Sequence, residues 1–196
     1  MSRKISSLAT ISLALFLTLS ASAQESWQLD PNHSSAQFAV RHLGISTVRG
    51  TFTKVSGTVQ LNEADLTRSS AEVTIDATSV DTRVETRDND VRSPKFLDVQ
   101  KFPTITFKSK KVEPAGPGKL RMTGDLTIHG VTKEVVLDVD GPTPAVKDAR
   151  SGQQRRGASA TTTINRQDFG VSGAPSVVGD EVTITLDIEM IKPAPK

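Results

Sequence analysis

Between Val182 and Met190 every even position is apolar (Val182, Ile184, Leu186, Ile188, Met190), while Thr183, Thr185, Asp187 and Glu189 fill the odd ones. A period of two places side chains on opposite faces of an extended strand, so this run can only be a strand with one buried face. The same alternation recurs. Ala36, Phe38 and Val40 alternate with Ser35, Gln37 and Ala39, and Val73, Ile75 and Ala77 with Glu72, Thr74 and Asp76. Further strands are predicted at Val48–Lys54, Gly57–Leu61, Thr104–Val112, Lys119–Ile128, Val131–Val139 and Ala158–Asn165. Many short strands with one apolar face each specify an all-β sandwich or a closed antiparallel barrel.

Register can be read for one hairpin. In "LTIHGVTKEV" a two-residue turn at His129–Gly130 is predicted, because glycine takes positive φ freely. Ile128 then faces Val131, Met122 faces Leu137, Leu120 faces Val139 and Gly124 faces Val135. Arg121 falls opposite Asp138, as cross-strand pairing favours. Asp125 opposite Glu134 is a conflict, and Lys133 lands on the apolar face near the turn.

Arg87 to Asp98 breaks the alternation with six closely spaced charges. Thr82 and Glu85 form a T-x-x-E capping box and Pro94 limits the far end, so a short helical excursion over about 83–98 is predicted. Mixed charges on a short helix read as a solvated face with internal pairs.

The first residues read as a secretory signal peptide. Arg3 and Lys4 precede an apolar run from Leu8 to Leu19, and "ASA" at Ala21–Ala23 is a small-residue cleavage site. The expected division is residues 1–23 as signal peptide and 24–196 as one barrel domain, in a periplasmic or secreted location. Losing Arg3 and Lys4 and no acid takes the net charge from +2 to zero. A neutral chain lacks the clustered cations that nucleic acid requires. The pair Arg155–Arg156 reads as part of a solvated polar loop.

The chain has no cysteine, which excludes disulfides, thiolate metal sites and thiol nucleophiles. His33, His42 and His129 share no metal-ligand spacing, and there is no G-x-S-x-G elbow or phosphate loop. No catalytic residue, metal or cofactor is therefore expected. A membrane barrel would alternate too, but one Trp, seven Phe and no Tyr cannot build aromatic girdles.

Seven segments in order carry a resemblance: "WQLDPNHSSAQFAVRHLG" at Trp27–Gly44, "VRGTF" at Val48–Phe52, "IDATSVDT" at Ile75–Thr82, "RDNDVRSPKFLDVQKFPTITFKS" at Arg87–Ser109, "GDLTIHGVTKEV" at Gly124–Val135, "INRQDFGV" at Ile164–Val171 and "VGDEVTITLDIE" at Val178–Glu189. Together they resemble the YceI-like proteins, the polyisoprenoid-binding, lipocalin-like YceI family. The resemblance implies an extended eight-stranded antiparallel barrel with a long apolar pore. It also implies export and, for some members, a link to stress responses. The implied ligand is an isoprenoid such as a polyprenyl or quinone-like lipid, held for storage or transport. By the same resemblance Arg87–Asp98 is a cap or entrance at the barrel, anchored by Phe96. Where members often read D-x-H-L-R-S-x-D-F-F, this chain has Asp90 for His, Val91 for Leu, Lys95 for Asp and Leu97 for the second Phe, and the turn "IRG" is "IHG".

The expected pore lining is the inward row: Phe38, Val40, Phe52, Val59, Ile75, Phe107, Met122, Leu126, Leu137, Ile164, Ile184, Leu186 and Ile188. The partner expected is an isoprenoid or other long-chain lipid or quinone, with a homodimer left open and neither nucleic acid nor a stable membrane span. The competing readings are an accessory protein or enzyme acting on a bound quinone, and a structural or stress-response module whose barrel is a filled core.

Overall fold

The computed structural model describes residues 24–193, so the signal peptide expected at 1–23 lies outside the described residues. The strands are β1 (Glu25–Leu29), β2 (Ser35–His42), β3 (Ser46–Phe52), β4 (Val55–Leu61), β5 (Ser70–Asp76), β6 (Val80–Asp81), β7 (Thr104–Gly116), β8 (Lys119–Ile128), β9 (Val131–Asp140), β10 (Val146–Lys147), β11 (Gln154–Asn165) and β12 (Val178–Ile191). Among the described residues a single α-helix, α1 (Glu85–Arg92), joins them.

β1 and β2 lie end to end beside β12, which pairs Met190 with Leu29 and Asp187 with Ser35. β4 and β3 likewise lie end to end against β1 and β2. Each pair is one long bent strand. With β5, β7, β8, β9, β11 and β12 they make an eight-stranded antiparallel barrel. Continuous pairing of β11 with β12, from Arg155↔Ile191 to Asn165↔Glu181, closes it. β1, too short to show a clear period of two, is the one wall segment that alternation does not pick out.

The β8–β9 hairpin has the register read from sequence, from Lys119↔Asp140 to Ile128↔Val131. His129 and Gly130 both have positive φ, at 52° and 75°, as a tight two-residue turn demands. The Asp125–Glu134 conflict is relieved from the next strand, because Lys110 of β7 reaches both carboxylates, at 2.5 and 3.3 Å.

Three expectations need correction. The regular helix is shorter than 83–98, running from Glu85 to Arg92, and residues 93–103 continue as turns. No capping box forms: Val84 is the N-cap residue without a side-chain bond, and Thr82 is buried. Thr82 is drawn inward because the Asp88 carboxylate accepts from its hydroxyl and, at 2.7 Å, from its backbone N–H. The Arg155–Arg156 pair is likewise no solvated loop but lies within β11. Arg156 has inward parity and stacks over the Trp27 ring, 5.1 Å from its centroid. Its guanidinium donates to the Thr143 carbonyl at 3.2 Å and pairs with Glu63.

The barrel has two unlike halves. At one end the lumen is solid: Trp27, Leu29, Leu61, Val112, Leu120 and Met190 are all buried, with Arg156 across the indole. At the other end the edge of β3 that faces away from β2 has lost β5 as a neighbour and pairs only with β6, through Thr51↔Asp81 and Phe52↔Val80. Residues 77–103, including α1, fill that gap. The outer wall carries ion pairs such as Lys108–Glu72, Lys110–Asp125 and Lys119–Asp140. Such a surface suits water and not hydrocarbon.

Candidate ligand cavity at the open end of the barrel

The open half encloses a cavity of about 410 Å³. Small-molecule sites usually measure a few hundred to a thousand Å³ and are mainly apolar. The walls come from inward-facing residues of β2, β3, β5, β7, β8, β9, β11 and β12. Of the thirteen positions expected to line a pore, ten meet here: Phe38, Val40, Phe52, Ile75, Phe107, Leu126, Leu137, Ile164, Ile184 and Leu186. Val59, Met122 and Ile188 do not line it and are corrected to core residues, packed on the cluster that includes Trp27 and Met190. The physical reason is height along the axis. Val59 is paired directly with Trp27, and the indole and its neighbours fill the lumen at that level.

Glycines keep the upper lumen open. Gly50 is paired with Phe38, and a Cβ on Gly50 would overlap the Phe38 ring. A Cβ on Gly124 would overlap the Phe107 ring in the same way. Each phenyl ring therefore lies flat over a glycine of the neighbouring strand instead of projecting to the axis.

The mouth has three sides. The first is the end of the β2–β3 hairpin, with Val40, Arg41, His42 and Val48. The second is the helical insertion, with Arg87, Asp90, Val91, Lys95, Phe96 and Leu97. The third is the segment after β11, with Arg166, Phe169, Val171, Ala174, Val177 and Val178. Phe96 thus lies at the cavity entrance. The second and third sides meet backbone to backbone at Gly173, where any Cβ would strike the Lys95 carbonyl.

Asp90 and Lys95, two of the positions noted with the resemblance, contact each other. The Lys95 ammonium donates to both Asp90 carboxylate oxygens, at 3.2 and 2.9 Å. Asp90 and Lys95 therefore form one opposite-charge pair on the rim. The other charges of the helix serve structure. Arg87 donates to the Thr82 hydroxyl and carbonyl, both at 2.8 Å, and Arg92 to the carbonyls of Thr78 and Val80, at 2.9 and 2.7 Å. Asp88→Ala is expected to cost about 2 kcal/mol, because it strands the buried Thr82 donors. Arg92→Ala, at a more exposed site, is expected to cost about 1 kcal/mol. Urea denaturation measures both, and a loss below about half a kcal/mol for Asp88→Ala would show that the helix is not tied down through this carboxylate.

The residue that sequence reasoning missed is Arg166. It is 4% exposed. Its guanidinium donates to the carbonyls of Val171, Gly173, Val178 and Gly179, at 2.6, 2.9, 2.9 and 2.9 Å. One side chain thus folds the whole third side of the mouth. Its signal was parity: after Thr162 and Ile164, position 166 continues the inward row of β11.

The histidines divide as their positions suggest. His42 lines the mouth, and His129 occupies its turn, its ring edge-on to Phe102 at 4.7 Å. His33 sits on the outer wall with Asp30 and Glu189, three groups close enough to recruit a cation. The cation there is Arg155, which donates to Asp30 at 2.7 Å and also pairs with Glu189. The hydrogen bond from His33, helped by the Asn32 N–H and Arg155, holds the Asp30 carboxyl down at about 2. The same bond, with the Glu189 charge, raises His33 above its ordinary value. A metal would have to displace a bound guanidinium, so this group reads as a structural ion cluster.

A closed eight-stranded barrel, solid at one end and hollow and apolar at the other, defines a small ligand-holding barrel rather than a channel or a solid sheet module. Residues 27–190 match the YceI-like domain, and the chain belongs to that family. A UPF0312 protein of Vibrio cholerae is 39% identical over 154 residues, covering 78% of this chain and 80% of that protein. A YCEI protein of Campylobacter jejuni is 33% identical, superposing with a TM-score of 0.69 over 79% of this chain and 90% of its own. A polyisoprenoid-binding domain from Saccharophagus degradans shares the fold, with a TM-score of 0.62 over 85% of this chain and 98% of its own, at 16% identity.

Proposed function

We propose that this protein is an exported carrier that holds one isoprenoid chain, of the polyprenyl or quinone-like class, in the upper half of its barrel. The observation that carries the reading is the apolar cavity of about 410 Å³ with charged side chains only at its mouth. Such a site accepts a hydrocarbon chain and leaves a polar head at the rim. Burial contributes about 0.8 kcal/mol per CH₂, so roughly ten carbons give about 8 kcal/mol gross. Micromolar affinity needs about that much net, so association costs call for a longer chain. The polyisoprenoid-binding domain of the same fold is consistent with this class of ligand.

Organic extraction of the purified protein, followed by mass spectrometry, tests the reading. An isoprenoid or quinone recovered in near-stoichiometric amount is the expected result. A protein repeatedly free of lipid, and unable to take up a polyprenyl or quinone probe, would return the barrel to a structural role. Turnover of a bound quinone would favour an enzyme instead. Export is tested by N-terminal analysis of periplasmic material, where the chain is expected to begin at Gln24. Retention of Arg3 and Lys4 would contradict it.

A further inference from the structure

The end of the β2–β3 hairpin is unusual for a surface turn. Its three-residue tip is Leu43, Gly44 and Ile45, closed by the Ile45 N–H donating to the His42 carbonyl at 3.1 Å. Leu43 and Ile45 are 53% and 79% exposed, and Val177, 37% exposed, joins them through the Leu43 N–H, which donates to its carbonyl at 2.7 Å. Three of the six large apolar side chains exposed among the described residues therefore meet at the cavity mouth. Leu43 also has a φ of 51°, a left-handed conformation that suits asparagine or glycine and strains a leucine. An observed backbone outlier of this kind is a reason to look for function at the tip.

Charge completes the pattern. From Pro31 to Asn62 the chain has no acidic residue, and the hairpin carries Arg41 and Arg49. Both are exposed, and neither is ion-paired among the described residues. Arg41 donates only to the Thr47 hydroxyl and the Gly44 carbonyl. At about 3.4 Å of rise per residue, Arg41 stands roughly 7 Å and Arg49 roughly 13 Å behind the tip. Apolar side chains leading and arginines following match the order of acyl chains and head groups met on entering an anionic leaflet.

We propose that this hairpin tip docks the barrel on an anionic lipid bilayer, with Leu43, Ile45 and Val177 entering the acyl layer and Arg41 and Arg49 meeting the head groups. Docking in this way brings the cavity mouth onto the membrane, so a hydrocarbon ligand crosses between bilayer and barrel without passing through water. The inference rests on the lipid-carrier reading for what is transferred, and on the tip's own chemistry for the binding.

Vesicle flotation tests it, using protein whose intact mass shows residues 1–23 removed. The vesicles are equal parts phosphatidylglycerol and phosphatidylcholine, or phosphatidylcholine alone. The protein is expected to float with the anionic vesicles at low salt and to bind neutral ones weakly. Arg49→Gln should lower partition about fivefold, the worth of one cation at such a surface. Leu43→Asn combined with Ile45→Ser should lower it about tenfold or more, since the inserted area is lost. Asparagine suits the left-handed position, so this variant should melt no lower than the parent and should extract with the same lipid content. Unchanged partition of the double variant would overturn the proposal. So would a lipid-loaded protein that binds neither kind of vesicle, which would point to delivery by a protein partner. Vesicle binding by a protein that never carries lipid would leave the docking surface standing and remove the carrier reading instead.

Discussion

Replacing Arg166 with leucine is expected to lower stability by about 3–5 kcal/mol, the usual cost of removing one partner from a buried charged network. Its guanidinium donates to four backbone carbonyls, of Val171, Gly173, Val178 and Gly179, and so ties the segment after β11 to the start of β12. Val171 and Gly173 lie outside the strands, and the β2–β12 register shifts between Val178 and Val182, so ladder pairing holds this segment only in part. Leucine keeps the apolar bulk and removes every donor. Lysine is expected to do little better, because an ammonium cannot span four carbonyls as the planar fork does. Val171, Val177 and Val178 line the cavity, so the same change should open the mouth and lower lipid retention. Urea unfolding and lipid extraction on Arg166→Leu and Arg166→Lys measure both effects. A loss under about 1 kcal/mol for the leucine variant would mean that the segment folds without its central arginine.

The faces of the strands were legible in the sequence, because period two leaves no choice once one row is apolar. The β8–β9 register followed residue by residue from one turn. Depth along the axis was not legible. Val59, Met122 and Ile188 satisfy the inward pattern as fully as Phe38 or Leu186. What separates them is the Trp27 indole, which fills the lumen at the level of Val59 and not at that of Phe38. Parity carries no information about where large rings from neighbouring strands converge. An open pore and a filled core, set against each other in the sequence, therefore each describe one half of the barrel. Charged residues at inward parity were the signal left unused. Arg156 and Arg166 bracket the row Ala158, Ala160, Thr162 and Ile164 on β11, one closing the solid end and the other shaping the mouth. A buried arginine on an apolar row has to find carbonyls or carboxylates, so such positions mark where regular pairing ends. The helical insertion was legible as an interruption but not in its internal contacts. Whether Thr82 caps Glu85 or is held by Asp88 depends on where the preceding strand delivers it.

Leu186→Asp is expected to abolish lipid retention, while its neighbour Asp187→Leu leaves it intact. Leu186 lines the cavity and is paired with Ala36 on one side and Ala160 on the other, all on the inward row. Asp187 points to the outer wall, where Gln37 donates to it at 3.1 Å. A carboxylate at 186 would stand on an apolar row, between Ala36 and Ala160 and beside Ile184, and its desolvation costs several kcal/mol unless it takes up a proton. Protonation relieves that cost by raising its pKa. The folded-state pKa then exceeds the unfolded value, so folding is penalised above the unfolded pKa and recovers as pH falls below it. Leu186→Asp should accordingly melt closer to the parent at acidic pH than at neutral pH, a recovery that a mere packing defect would not show. Asp187→Leu exchanges one exposed hydrogen bond for exposed apolar surface, an effect of about half a kcal/mol. Lipid content by extraction and melting curves at two pH values separate the outcomes. A Leu186→Asp protein that keeps its lipid and its neutral-pH melting point, beside an Asp187→Leu protein that loses both, would mean that β12 presents its other face to the ligand.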